Sequence, residues 1–168
     1  MLILTDKTID LKIKQAEIIN INSHTINFCT SCFNCWIKTP GSCVIRDDQV
    51  HIYPKIAIAN EIVYICKVRY GCYDVAFKTM LERCLPLQQP FLRILKNETH
   101  HEQRGVEVKD AIIIGYGVEN EEEKGIFTKL IERNSFDMCL GSYKVIFATE
   151  TEVEEILLKE VSERWIKQ

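Results

Sequence analysis

EIVYICKVRYGCYDVAFKTMLERCLP, residues 61–86, decides the fold. Glu61 to Cys66 is a near-continuous apolar run, the mark of a strand buried on both faces. Lys67 to Tyr73 reads as a loop. Asp74 then caps a helix that carries Phe77, Met80, Leu81 and Cys84 at helical spacing and stops at Pro86. A doubly buried strand followed by a loop and a helix is the repeating unit of a parallel sheet.

The unit recurs in both directions. Downstream, Ala111 to Gly115 (AIIIG) is a second clear strand. Asn120 with Glu123 gives a capping-box signal for a helix with Ile126, Phe127, Leu130, Ile131 and Met138 inward, ended by Gly141. Tyr143 to Ala148 is the last strand. Thr151 with Glu154 caps a final helix whose face is Val153, Leu157, Val161 and Trp165. Upstream, Asp47-Asp48 reads as the N-cap of a helix to about Ala59, with Val50, Tyr53, Ile56 and Ala57 on its apolar side. Pro54 inside that pattern predicts a kink or a shortened helix. Leu2-Ile3-Leu4 and Glu17 to Asn22 are short strands, and Thr8 to Lys14 alternates with a strand period. Residues 87–108 read as irregular, with His100-His101 on a surface loop or at a subunit contact. The expectation is an α/β three-layer sandwich in a single domain, residues 1–168. Its ligand crevice lies beyond the carboxyl ends of the strands. Asn22 to Thr39, Lys67 to Tyr73 and Tyr116 to Glu119 leave those ends.

Composition narrows the function classes. The chain has 168 residues, 46% hydrophobic and 27% charged, with a formal charge of -3, which argues against nucleic-acid or anionic-membrane partners. No apolar run is long enough for a bilayer span, and Met1 to Asp6 has no signal-peptide character, so the expected location is the cytoplasm. No Ser-His-Asp, Walker or HExxH pattern supports a hydrolase or nucleotidase. Glu121 to Glu123 is a solvated helix start.

Eight cysteines are the outstanding feature, and four fall together as Cys29-x2-Cys32-x2-Cys35-x7-Cys43. That spacing suits a [4Fe–4S] cluster, which takes four cysteines. It suits tetrahedral zinc less well, since zinc sites usually use two separated pairs. Reduced structural thiols packing the loop, and a disulfide switch, are the other readings.

The stretch CTSCFNCWIKTPGSCVIRDD (29–48), with residues 67–86 and IIIGYG (112–117), resembles the flavodoxin-like NAD(P)H-dependent FMN reductases, above all their iron–sulfur flavoprotein branch. The resemblance covers about residues 17–148. It implies a five-stranded parallel sheet of order 2-1-3-4-5, FMN at the strand ends, NAD(P)H as reductant, and a homodimer or homotetramer with the flavin near the subunit interface. Tyr70, Gly71 and Tyr73 would flank the flavin ring. Gly115, Tyr116 and Gly117 would supply backbone to its other edge, and Trp36 would cover it. Cys29, Cys32, Cys35 and Cys43 would carry the cluster.

Three departures qualify it. The family's first strand leads into a Ser/Gly–Pro–Arg-rich turn and a long helix that hold the FMN phosphate. Here the first glycine of the chain is Gly41, and Asp6 stands where it would repel a phosphate. The short link before Glu17 leaves either a stunted helix or an antiparallel hairpin. The family's Ser/Thr–Pro after the central strand is replaced by Lys67, Val68 and Arg69. Its Asp–Arg pair appears as Glu82-Arg83. The function read from the chain is a flavodoxin-like NAD(P)H-dependent FMN oxidoreductase or electron-transfer flavoprotein with weakened phosphate binding, passing electrons to a small-molecule or protein acceptor. The alternatives are a cofactor-free member acting as an interaction or assembly protein, and a [4Fe–4S] electron carrier without flavin.

Overall fold

The computed structural model describes Met1 to Trp165, with side chains to Ser162. Strands β1 (Leu2–Thr5), β2 (Glu17–Asn20), β3 (Glu61–Arg69), β7 (Lys109–Tyr116) and β8 (Leu140–Ala148) form one sheet in the order β2-β1-β3-β7-β8. Every pairing along that path is parallel. Counting the parallel strands alone, this is the expected order 2-1-3-4-5, and the fold is flavodoxin-like.

Three helices cover one face: α2 (Gln49–Ile58), α3 (Val75–Glu82) and α4 (Glu121–Asp137). Their Ile52, Tyr53, Ile56, Phe77, Met80, Phe127 and Ile131 meet Leu4, Tyr64 and Ile113 of the strands. α5 (Val153–Trp165) covers the other face, where Val153 and Leu157 meet Ile3, Val63, Ile65, Ile112 and Ile114. The strands are buried on both sides, as parallel sheets require. The expected inward position of Trp165 lies outside the described side chains.

The front of the chain departs from both expectations. β1 and β2 are parallel, and residues 6–16 cross between them with neither a helix nor a strand. The alternation of Ile9, Leu11 and Ile13 does mark burial on one side. These residues pack onto the second face, where a first helix would otherwise lie. An extended strap reaches further per residue than a helix, so a short link suffices for a parallel crossover. Lys7 Nζ donates to the Glu150 carbonyl at 2.7 Å and Asp10 N to Glu154 Oε1 at 3.3 Å, which moors the strap to the start of α5.

Other local readings need correction. β3 does not stop at Cys66. It continues to Arg69 and folds back into β4 (Cys72–Tyr73), pairing Val68 with Tyr73 and Arg69 with Cys72. The two turn residues, Tyr70 and Gly71, have φ of 52° and 69°, the left-handed geometry of a tight hairpin. Residues 87–108 are not irregular. They contain an antiparallel hairpin, β5 (Gln88–Leu95) and β6 (Glu98–Gln103), turned at Lys96 and Asn97. α4 begins as expected, with Asn120 Oδ1 accepting from Glu123 N at 2.9 Å. It ends before Cys139, which takes a left-handed φ of 54°, while Gly141 lies inside β8. Ahead of α5 the local bonds run between Thr149 and Glu152, not Thr151 and Glu154.

Candidate functional site

The crevice at the strand ends is built by the residues that follow β1, β3 and β7. Asp6, just past β1, is 7% exposed. Its Oδ2 accepts from Lys67 N at 2.7 Å, and its Oδ1 accepts from the Tyr116 hydroxyl at 2.8 Å. Asn22 Nδ2 donates to its carbonyl. Burial pushes the Asp6 carboxyl up, and the Lys67 amide and Tyr116 hydroxyl offset part of that rise. A cavity of about 510 Å³ opens beside it, bordered by Asn22, His24, Phe28, Lys67, Asp74 and Thr79 among others.

The seven residues expected to border FMN do not meet in one place. Tyr73 is buried and stacks on Phe77, with ring centroids 5.3 Å apart. Tyr116 is buried and spent on Asp6. Trp36 lies on the single-turn helix α1 (Asn34–Ile37), stacks on His101 at 4.6 Å, and donates Nε1–H to the Leu85 carbonyl at 3.1 Å. Gly115 is enclosed by Val68, Phe127 and Phe147. Tyr70 and Gly117 border one open cavity, together with Lys67, Arg69, Glu119, Glu123 and Glu150, whereas Tyr116 borders the separate cavity beside Asp6 and Tyr73 a third. Gly71 sits under Ile126, at the back of the hairpin. The end of β1 offers an FMN phosphate no glycine-rich turn, and the Lys67 amide of β3 and the Tyr116 hydroxyl of β7 beside it already serve the Asp6 carboxylate.

The cysteines behave differently. Cys29, Cys32, Cys35 and Cys43 line one narrow apolar cavity of about 20 Å³, with Phe33, Val44, Ile45, Leu85, Pro86 and Arg83 completing the wall. All four are free thiols. The loop that brings them together holds Ser31 and Phe33 at φ of 50° and 54°, a left-handed geometry that costs non-glycine residues energy. Cys32 is the exposed member. The Asn34 amide and the Thr30 hydroxyl lower its thiol pKa. Cys35 is buried, and burial together with the neighbouring thiols raises its pKa.

Arg83 anchors this loop from behind. It is the largest fully buried side chain, 1% exposed, and pairs with Asp47, 4% exposed. Nη1 reaches Asp47 Oδ2 at 2.8 Å and Nη2 reaches Oδ1 at 3.0 Å, a two-pronged pair. Nη1 also donates to the Asn27 carbonyl at 2.7 Å, and Nη2 to Cys43 Sγ at 3.4 Å and the Ile45 carbonyl at 3.5 Å. One guanidinium thus ties both ends of the cysteine loop to α3. Burial opposes the charge on Asp47, but the bonds from Arg83 and Asn27 outweigh it and hold the carboxyl at about 2. Asp48 stands at the N-cap position of α2, as expected, but neither it nor Asp47 caps the helix through its side chain. Asp48 makes no capping bond, and its Oδ2 accepts from Thr25 N at 2.7 Å. Sequence reasoning noticed Arg83 only as half of a displaced Asp–Arg pair. The overlooked signal was an arginine beside the buried Met80 and Cys84 on a helix whose stripe is otherwise apolar.

The donor set around the cysteine cavity is four thiols, with no carboxylate or imidazole in the wall, which is the ligand chemistry an iron–sulfur cluster takes, although the cavity as it stands is too narrow to hold one. Among the described residues no three His, Cys, Asp or Glu side chains stand close enough to hold a single metal ion. The cavity is smaller than a cubane, so its exposed side at Cys32 must move outward to admit one. His100 and His101 are not a metal pair. His100 lies between Asp137 and Glu98 at 3.1 and 3.3 Å, and His101 faces Trp36. Among the described residues no helix is long and apolar enough to cross a membrane.

Comparison with known proteins agrees with the fold. No family model matches the chain. An iron–sulfur flavoprotein from Archaeoglobus fulgidus is 32% identical over 72 residues, which is 43% of this chain and 32% of that protein. The match thus spans about a third of the relative's length. Among solved structures, an FMN-dependent NADH-azoreductase from Bacillus anthracis, in complex with FMN, superposes with a TM-score of 0.56 at 15% identity, covering 97% of this chain and 95% of that one. An NAD(P)H:quinone oxidoreductase from Methanothermobacter marburgensis gives 0.61 at 10% identity, covering 98% and 97%. At these identities the structures speak for the fold alone. Together the matches bear out the flavodoxin-like fold and add a partial sequence likeness to an iron–sulfur flavoprotein.

Proposed function

We propose that this chain is a redox protein of the flavin-reductase type whose electron-carrying centre is a [4Fe–4S] cluster on Cys29, Cys32, Cys35 and Cys43. The observation that carries the reading is the convergence of these four side chains on one apolar cavity. A cluster bound there supplies one-electron transfer. The chain's own residues supply the rest. Ser31 and Phe33 hold the turns that aim the thiols inward. Arg83, within hydrogen-bond reach of Cys43 Sγ, offsets thiolate charge in a wall that excludes water. Trp36, held between Phe33 and His101, packs behind the Phe33 wall.

The relatives' names support the broader class of flavin-dependent NAD(P)H oxidoreductases. Within that class the chain would use a flavin weakly, without a phosphate cradle, and pass electrons to a small-molecule or protein acceptor as a homodimer or homotetramer. Eight free cysteines suit the reducing cytoplasm. A cofactor-free interaction protein is the second reading, favoured by the closure of the strand-end crevice on Asp6.

The test is anaerobic purification with iron and sulfide analysis and a visible spectrum, with and without added FMN. The expected result is about four irons per chain and a broad visible band that disappears in Cys32→Ala. A colourless protein that contains no iron and binds no FMN would refute the redox reading and leave the cofactor-free one.

A further inference from the structure

The path of the chain reverses direction at one place in the sheet. From β1 it winds outward to β2, then returns on the other side of β1 to β3 and continues through β7 to β8. At such a switch point the loops part, and a ligand crevice opens beyond the carboxyl ends of the two diverging strands. Here the chain's own carboxylate spans that opening. Asp6 follows β1, and its two oxygens take donors from the strands beyond: Lys67 N of β3 at 2.7 Å and the Tyr116 hydroxyl of β7 at 2.8 Å. Its amide donates to the Ile65 carbonyl at 3.1 Å, and its carbonyl accepts from Asn22 Nδ2, so the residue is fixed on every side.

Two donors converging from different strands on one small planar anion describe a bound-anion site whose anion happens to be covalently attached. The surroundings agree. The adjoining cavity of about 510 Å³ has Lys67 and His24 in its wall, with Asn22 and Thr79 as further polar groups. The other carboxylate there, Asp74, is engaged: its Oδ1 accepts from Val75 N at 2.8 Å and its Oδ2 from Arg69 Nε at 3.4 Å.

We propose that Asp6 is a built-in counter-anion that occupies an anion seat at the switch point and bars phosphate-bearing ligands from the crevice, leaving it selective for uncharged or unphosphorylated ones. The inference is independent of the cysteine cavity and stands whether or not a cluster is bound. It reverses the ordinary economy of such crevices, in which the protein presents donors and the ligand brings the charge.

Replacement of the carboxylate tests it. Asp6→Ser leaves the Lys67 amide and the Tyr116 hydroxyl facing the cavity, with a small hydroxyl in place of the anion. The probe is inorganic phosphate, read by thermal melting and by calorimetric titration against chloride at matched ionic strength. The wild-type chain is expected to ignore phosphate. The variant is expected to melt higher in its presence, with a dissociation constant at least about tenfold lower than the wild type's, the scale of one or two charge-assisted hydrogen bonds. Titration with FMN and riboflavin gives the second readout: the substitution should raise affinity for FMN relative to riboflavin by about the same factor. Circular dichroism checks that the variant folds, and if it does not, Asp6→Asn replaces it. An Asp6 variant that folds and still ignores phosphate overturns the proposal. So does a wild-type chain that phosphate stabilises as strongly as the variant.

Discussion

Removing one partner of a buried ion pair leaves a charge with nowhere to go, and Arg83→Met does this to Asp47. The pair is almost solvent-free, at 1% and 4% exposure. After the substitution Asp47 keeps only the Asn27 amide and side-chain bonds, at 2.8 and 3.0 Å. Breaking a buried pair in this way costs about 3–5 kcal/mol. A domain of this length typically has about 5–15 kcal/mol in total, so the variant should lose roughly a fifth or more of its stability. At about 2–4 °C per kcal/mol, the melting temperature should fall by roughly 6–20 °C. Urea denaturation at pH 7 measures the loss directly. Two companions sharpen the test. The double substitution Asp47→Leu with Arg83→Met removes both charges and should recover most of the loss. The loss should also shrink in acid. In the wild type the Asp47 carboxyl is held at about 2 against an ordinary 3.8, so its contribution of about 2 kcal/mol is complete above about pH 5 and is lost as the pH falls through 2. In the variant the unopposed burial raises the carboxyl, so its folded state gains stability as Asp47 takes up a proton. The two curves therefore converge as the pH drops. A loss below about 1 kcal/mol at pH 7, a double variant no better than the single one, or a gap that stays constant with pH would refute this account.

Three further outcomes are expected. Tyr116→Phe deletes one of the two donors that satisfy Asp6, and should cost about 1–3 kcal/mol at pH 7 by denaturant titration, less in acid where Asp6 is neutral. Gly71→Ala places a Cβ 2.5 Å from Ile126 Cγ2 at a φ of 69°, and should destabilise by about 2–4 kcal/mol while leaving the cysteine loop's thiol reactivity unchanged. Asn97→Gly puts the residue preferred by two-residue hairpins at a φ of 65°, and should change stability by less than about 1 kcal/mol in denaturant titration, because relief of the left-handed strain is offset by the added freedom of the unfolded chain.

Residues whose role depends on period could be read directly from the sequence. The runs at 61–66 and 111–115 became the two central strands, because an unbroken apolar run can satisfy itself only between two covered faces. Phe77, Met80, Phe127 and Ile131 were all placed inward by their helical spacing. Roles that depend on a distant partner were hidden. Asp47 and Asp48 have the local look of a cap, and only the fold brings Arg83 and Thr25 to them. The alternation at 8–14 signalled one-sided burial correctly, but period two is shared by a strand and by an extended strap that pairs with nothing. At the site, the four clustered cysteines of the sequence line one narrow cavity, although no three of them stand close enough to hold a single metal ion. Tyr73, Gly115 and Tyr116 were assigned to a ligand from motif position, whereas their neighbours in space make them wall and core.

The strap over residues 6–16 also determines how the molecule comes apart. β2 is an outer strand, paired on one side only; Ile19 packs into the core and Glu17 pairs with Lys55 of α2, while the other face is covered by this short segment with its few bonds around the start of α5. Without a helix of its own, that edge has no rigid cover to release as a block. Amide protons of residues 17–20 should therefore exchange with solvent through a small local opening, at a lower free energy than those of β1, β3 and β7. β2 leads straight into the chain that carries Cys29 and Cys32, so the edge of the sheet that opens most easily is also the root of the cysteine loop.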